Sequence, residues 1–216
     1  MTNTVQKVWR FLDNNPSIKR EMKRGLINTS ALARYIINKW KISADQDAVI
    51  SAIRRYRLDI YTDVFDNAYK ILSQTVNIST KSNLAEISLI KDDEVQELLP
   101  KIFSIIKYVQ GDVLRVTQAN ESIRLLIDEK NMEKVIDMFP KKKIISKEKG
   151  LAEINIYIHP QMQTTPGILA TIANELAIND INIVEFMTCP PEMICVVKKD
   201  DLLRASRVLY KLCESN

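Results

Sequence analysis

One loop in this sequence of 216 residues has the residue types to hold a small anion. It reads His-Pro-Gln-Met-Gln-Thr-Thr-Pro-Gly over His159–Gly167, between an apolar strand-like stretch and an amphipathic helix. A helix that opens at a glycine leaves backbone N–H groups free, and its dipole adds partial positive charge there. A carboxylate can dock on such a terminus. Thr164 and Thr165 supply hydroxyls that either cap the helix or bond a ligand. On chemistry alone, a plain Thr-capped helix preceded by proline explains the same residues better.

A second constellation lies near the N-terminus. Ala31–Trp40, a turn of three or four residues, then Asp45–Arg57 has helix-turn-helix spacing. Arg54, Arg55 and Arg57 come late on the would-be recognition helix, with Arg34, Gln46 and Ser51 as further polar candidates. Arginine suits phosphate oxygens and guanine edges alike. The usual turn glycine is missing, however, and Asp45 and Asp47 stand at the helix end that normally faces the groove. The residues therefore leave two partners open here, duplex DNA or a protein surface.

Catalytic chemistry has little to work with. The four glycines (Gly25, Gly111, Gly150 and Gly167) cannot build a P-loop or a dinucleotide fingerprint. The one histidine, His159, has no Ser, Cys or second His at useful spacing. Glu86 and Glu153 recur at equivalent strand positions, which a repeated sheet-face charge explains as well as an acid pair does. Cys189, Cys195 and Cys213 are odd in number and lack C-x-x-C spacing, so neither a disulfide framework nor a zinc site is expected. The expectation is a protein that binds and regulates, with no enzyme activity, metal or cofactor.

Net charge is +4, unevenly spread. Met1–Ile60 carries 12 Lys and Arg against 5 acids, and the remainder is slightly acidic. That asymmetry fits a first segment that meets an anionic partner. No apolar run approaches the roughly 20 residues of a bilayer span, and Met1–Asn14 lacks the apolar core of a secretion signal. A cytoplasmic location is the expectation.

Helices must position the second constellation, and a strand and a helix the first. Val5, Val8, Trp9, Phe11 and Leu12 form a helical stripe broken at Asn14-Asn15-Pro16. Ser17–Arg24 follows, closed by Gly25. Asn28-Thr29-Ser30 offers caps for a helix lined by Leu32, Ile36 and Trp40 with Tyr35 beside them. Ser43–Gln46 reads as a capping box for a helix packing Val49, Ile53 and Tyr56. A connecting helix is expected from Tyr61 to about Val76, and Asn77–Lys81 as an edge strand or wing.

Beyond it, Leu-Ala-Glu-Ile occurs at Leu84–Ile87 and again at Leu151–Ile154. Each copy opens a strand-helix-strand-strand-helix series. In the first copy these are Leu84–Ile90, Asp93–Tyr108, Val113–Gln118, Ser122–Ile127 and Met132–Phe139. In the second they are Ala152–Ile158, Gly167–Ile178, Ile181–Thr188, Met193–Lys198 and Leu202–Cys213. Lys141–Gly150 joins the copies and can hold a last strand, Lys143–Ser146. The expected class is α+β: an N-terminal helical, helix-turn-helix-like domain (1–62), the connecting helix (63–76), and two ferredoxin-like β-α-β-β-α modules (77–146 and 147–216).

The run Thr165-Pro166-Gly167-Ile168-Leu169, with Ile181-Asn182-Ile183 opening the next strand, resembles an ACT domain, the amino-acid-sensing module attached to aspartokinases and many regulators. The likeness covers Leu151–Cys213. It implies an amino-acid effector contacting Thr164, Thr165, Pro166, Gly167, Ile168, Asn182 and Ile183 across a module interface, and a homo-oligomer, a dimer through these modules. The first copy departs from the pattern. It has no Pro-Gly, and Asp92, Asp93 and Glu94 would repel a carboxylate; Pro100 marks either the true helix start or a kink. The whole chain is similar to the archaeal-type predicted regulators of amino-acid metabolism. That implies an amino-acid-responsive transcriptional regulator or, alternatively, a non-DNA-binding subunit that controls a biosynthetic enzyme by protein contact.

Overall fold

Asparagine, proline and glycine punctuate the helices of the first segment where the sequence places them. In the computed structural model, described over residues 4–57, 64–75, 77–157 and 159–214, the chain forms two units, Met1–Val64 and Phe65–Asn216. In the first, α1 (Thr4–Asp13) buries Val8, Phe11 and Leu12. Helix α2 (Pro16–Lys23) has proline in its opening turn, and Gly25 follows its end at φ 73°. The Asn28 side chain caps α3 (Thr29–Trp40), accepting from Ala31 N at 3.0 Å. Helix α4 (Gln46–Arg54) buries Val49, Ala52 and Ile53.

The capping box at Ser43 is not formed. Lys41 turns the chain through a left-handed conformation (φ 47°), Ile42 is buried, and α4 starts only after Asp45. Ser43 is thus too far from the first turn to cap it. Trp40 and Tyr35, expected inward, are 37% and 50% exposed, their rings edge-on to Phe11. Tyr56 lies beyond α4 and donates its hydroxyl to Asp13 Oδ1 at 2.5 Å. Burial, with this carboxylate beside it, pushes the Tyr56 phenol up to about 12.

In the second unit, α5 (Val64–Leu72) falls inside the expected connecting helix, of which residues 61–63 and 76 lie outside the described residues. Its Ala68, Ile71 and Leu72 enter the core of the second copy. Then come β1 (Asn77–Ile90), α6 (Asp93–Ile102), β2 (Leu114–Gln118), β3 (Ser122–Asp128) and α7 (Met132–Ile136). They are followed by β4 (Ile144–Tyr157), α8 (Ile168–Ile178), β5 (Glu185–Cys189), β6 (Glu192–Lys198) and α9 (Leu202–Glu214). Pro100 sits in the last turn of α6, not at a helix start.

All six strands form one antiparallel sheet, β2-β3-β1-β4-β6-β5. Its two long strands serve both copies. Residues 84–90 of β1 pair with β3, whereas 77–82 pair with residues 152–157 of β4. The second copy therefore draws its fourth strand from the residues ahead of the first, and β4 runs unbroken through the expected joining stretch. Register shifts fall around Leu84, beside Asn83 (φ 60°) and Gly150 (φ 75°). Such bulges bend a strand and raise its twist.

Alternation along β1 sends Ala85, Ile87 and Leu89 into a core with α6 and α7. Ile154, Ile156, Cys195 and Val197 meet α8 and α9 in the same way. Burial raises the Cys195 thiol to about 12, as for a cysteine that serves as a small hydrophobe. The opposite face is buried too, around Leu84, Leu126, Leu151, Ile194 and Val196. No described helix contributes to that cluster; the sheet covers it by rolling. Thr117 Oγ1 of edge strand β2 lies 3.6 Å from Met187 Sδ of the other edge strand, β5. Arg115 of β2 likewise reaches Glu153 of β4, at 3.2 and 3.4 Å.

Glu86 and Glu153 are thus not surface charges, at 7% and 1% exposure inside the roll. Glu153 has Arg115 and also Asn155, whose Nδ2 donates at 3.1 Å. Among the described residues Glu86 has only Arg124, 3.6 Å away, with Oε2 buried and making no hydrogen bond. Burial raises the Glu86 carboxyl above its usual range, and nearby Glu185 pushes the same way against Arg124. The folded carboxyl therefore holds its proton more tightly than the unfolded one. Stability should rise as pH falls through the folded pKa and level off below the unfolded value. Glu86→Gln is expected to raise stability at pH 8 by on the order of 1 kcal/mol and to narrow the gap between urea midpoints at pH 5 and pH 8. An unchanged gap would mean that Glu86 is as well solvated folded as unfolded.

Candidate functional site

The loop ahead of α8 folds as a short 3-10 turn over Pro160–Gln163. His159 Nδ1 accepts from Gln161 N at 3.3 Å, so the histidine serves the turn. Neither threonine caps the helix. Both hydroxyls donate back to Gln161 O, Thr165 at 2.7 Å and Thr164 at 3.3 Å. The N-cap is Gly167, at φ 91°, with no side-chain cap bond. A side chain is strongly disfavoured at that φ. Thr171 N donates to Gly167 O at 2.8 Å as the first helical bond. The amides of Ile168, Leu169 and Ala170 precede it and have no intrahelical acceptor.

The three residues that carry those amides line a cavity of about 470 Å³. The loop contributes Met162, Gln163 and Thr165, and the β5–β6 hairpin contributes Thr188, Pro190 and Met193. Of the seven ligand contacts expected from the sequence, Thr165, Gly167 and Ile168 line this space. Thr164 and Pro166 are exposed beside it. Asn182 and Ile183 are not among its lining residues. They follow the far end of α8, where Ile181 N donates to Leu176 O. An 11-residue helix puts that end roughly 16 Å from Gly167. The strand they were expected to open begins only at Glu185. One chain does not bring the two halves of the motif together.

The hairpin residues were not legible as site residues, because only the return of β5 and β6 beside β4 brings them to the loop. Pro190-Pro191 marks the turn itself, and nothing in the sequence says what the turn faces.

The equivalent position in the first copy is already filled. Asp92 caps α6, accepting from Val95 N at 3.0 Å, and pairs with Lys143, which also meets Glu94 at 3.3 Å. The Lys143 ammonium holds the Asp92 carboxyl below its usual range. The chain's own carboxylate thus sits where a ligand carboxylate would dock.

With this geometry in view, the chain can be set beside known proteins. No protein-family model matches it, and no curated protein matches it in sequence. Solved structures do. Aspartate kinase from Clostridium acetobutylicum superposes with a TM-score of 0.51 at 21% identity, over 64% of this chain and 34% of that one. The aspartokinase alpha and beta subunits give 0.52 at 15% identity, over 64% of this chain and 97% of that one. The regulatory subunit of aspartate kinase from Thermus thermophilus, in its ligand-free form, gives 0.50 at 13%, over 64% and 98%. What is shared is the fold. The α+β architecture expected from the sequence, a helical region followed by an antiparallel sheet backed by helices, matches that of ACT-type regulatory domains. The chain spans about a third of the Clostridium kinase.

In the helical unit, Arg34 is exposed on α3, and Gln46 and Ser51 lie on α4. Arg54 is the last residue of α4, Arg55 Nε donates to Ser51 O at 3.3 Å, and Arg57 is exposed beyond the helix. Five residues separate α3 from α4, more than the expected turn. Asp45 stands at the N-cap position of α4 without a side-chain cap bond, at the end that would enter a groove, and Asp47 follows in its first turn. The positive charge gathers at the other end. This arrangement does not support DNA binding.

Among the described residues, no three His, Cys, Asp or Glu side chains gather as a metal site would require. No helix of the described residues is long and apolar enough to cross a membrane.

Proposed function

We propose that this chain is an amino-acid-responsive regulatory protein that acts through protein contact on an enzyme of amino-acid metabolism. The observation that carries the proposal is the cavity at the start of α8, where three free amides meet a half-enclosed, mostly apolar space. An α-amino acid supplies a carboxylate for the amides and a body for the space. The likeness to regulatory subunits of aspartate kinase supports the same conclusion, since those proteins share the fold. Regulation by protein contact suits the chain better than transcriptional control, because α4 offers a groove its acids and not its arginines.

The effector works across a pair of copies. Helix α8 exposes an uncharged face, Leu169, Ala170, Ala173, Ala177 and Ile178, the last 71% exposed. Two such helices packed antiparallel about a two-fold axis would bring the Gly167 end of one beside the Asn182 end of the other. Asn182 and Ile183 would then complete the neighbouring copy's cavity. A ligand held in that way favours one arrangement of the pair by its differential affinity for it.

A thermal-shift screen of the twenty amino acids tests the assignment. At 100 times its Kd an effector stabilises by about 2.7 kcal/mol, a rise of several degrees in Tm. At least one amino acid is expected to do this at millimolar concentration. A flat response to all twenty contradicts the proposed function.

A further inference from the structure

We infer that the effector carries an uncharged, apolar side chain of the leucine, isoleucine, valine or methionine class. The inference rests on the amino-acid assignment above and narrows it. Among the described residues, no charged side chain lines the cavity. Its floor is formed by Met162 and Met193, each 4% exposed, with Ile168 at 3%. Leu169 and Pro190 add apolar surface at the sides. The side-chain polar groups are Gln163, Thr165 and Thr188, all neutral.

An α-amino acid is a zwitterion, so its backbone brings no net charge. The amides of α8 take the carboxylate. The ammonium has neutral acceptors: the Gln163 and Thr188 oxygens, and Thr165 Oγ1, which keeps its lone pairs while donating to Gln161 O. A charged side chain would add one further charge with no counter-ion, and burying an unpaired charge is strongly disfavoured. Lysine, arginine, aspartate and glutamate are excluded on that ground. Within one chain size does not discriminate, because the space is open on the side that the neighbouring copy's Asn182 and Ile183 would close. The two thioethers are flexible and polarisable, and so accommodate branched as well as linear apolar side chains.

Isothermal titration of the full chain with leucine, isoleucine, valine, methionine, lysine, arginine, aspartate and glutamate tests the inference. At least one of the first four is expected to bind tenfold or more tightly than any of the last four. Tighter binding of a charged amino acid overturns the apolar class and leaves the amino-acid assignment standing. No heat from any of the eight overturns the apolar class, and a flat thermal-shift response to all twenty overturns both. Thr188→Lys provides a second reading: Thr188 is exposed on the hairpin, so folding is not at stake. An ammonium there is expected to weaken the apolar ligand at least tenfold by repelling its ammonium. Unchanged affinity would place the ligand elsewhere and overturn the inference.

Discussion

Replacing Arg115 by alanine is expected to cost about 3 kcal/mol of stability and to lower Tm by roughly 6–12 °C. The guanidinium reaches from β2 across the rolled interior to a Glu153 carboxylate that is 1% exposed. Without it, that carboxylate keeps, among the described residues, only Asn155 Nδ2 as a side-chain hydrogen-bond donor. A buried charge left without its partner is the costly outcome, whatever the intact pair contributes. Arg115→Ala combined with Glu153→Gln should recover part of the loss, because the stranded charge is gone. The two substitutions are coupled, and a double-mutant cycle in urea measures the coupling. A cost below 1 kcal/mol for Arg115→Ala, with additive behaviour, would mean a solvated surface pair. The pair also ties the first copy's β2 to the second copy's β4, so a looser sheet should accompany the lower midpoint.

Gly167→Val is expected to abolish the amino-acid response while leaving a folded chain. At φ 91° a side chain costs about 1–2 kcal/mol in backbone strain, and a β-branched one more. The helix start must rotate to relieve the strain, which turns the amides of Ile168, Leu169 and Ala170 away from the cavity. In a thermal-shift assay the ligand-free Tm should fall by a few degrees, and the stabilisation given by the wild-type chain's best amino acid should vanish. Ile168→Val, which removes one methylene from the floor and leaves the turn alone, should keep most of the response. A Gly167→Val variant that responds as well as wild type would show that the carboxylate docks away from α8.

Much of this fold is written locally. The two Leu-Ala-Glu-Ile strands, the helices after them and the Asn28 cap follow from alternation, helical spacing and capping chemistry; α8 falls within one residue of its expected bounds, whereas α6 ends six residues short of Tyr108 and β1 and β4 begin seven and eight residues ahead of the expected strands. What failed locally did so for tertiary reasons. The Ser43 capping box lost to burial of Ile42, which fixes where the chain leaves α3. Ile181–Val184 has strand-like residues, yet Ile181 is drawn under the end of α8 and the ladder starts four residues later. Pairing of residues 77–82 with 152–157 joins positions 70 to 80 residues apart. A strand's own sequence does not name its partner. The roll of the sheet depends on that pairing and on bulges near Asn83 and Gly150, so the burial of Glu86, Glu153 and Arg115 was equally out of reach.

For the site, the anion-binding terminus was legible because glycine before a helix is a local signal. The walls were not, since half of them come from the β5–β6 hairpin. The motif's second part, Asn182-Ile183, was legible as a pattern, but helix length separates it from Gly167 within one chain. The contrast between the copies was legible in part. Acidic residues at the start of α6 signalled a site closed to carboxylates, while the structure adds that Asp92 itself fills the place.

The central claim is that an amino-acid carboxylate docks on the first-turn amides of α8. The most direct test is a titration followed by amide-resolved NMR, using 15N-labelled full-length chain and the amino acid that most raises its Tm. The largest shift changes are expected at Ile168, Leu169 and Ala170, saturating with the Kd from calorimetry, while the Val95 amide, already bound to Asp92, stays still. Saturating changes confined to α6, to the helical unit, or to any surface away from α8 would contradict the account.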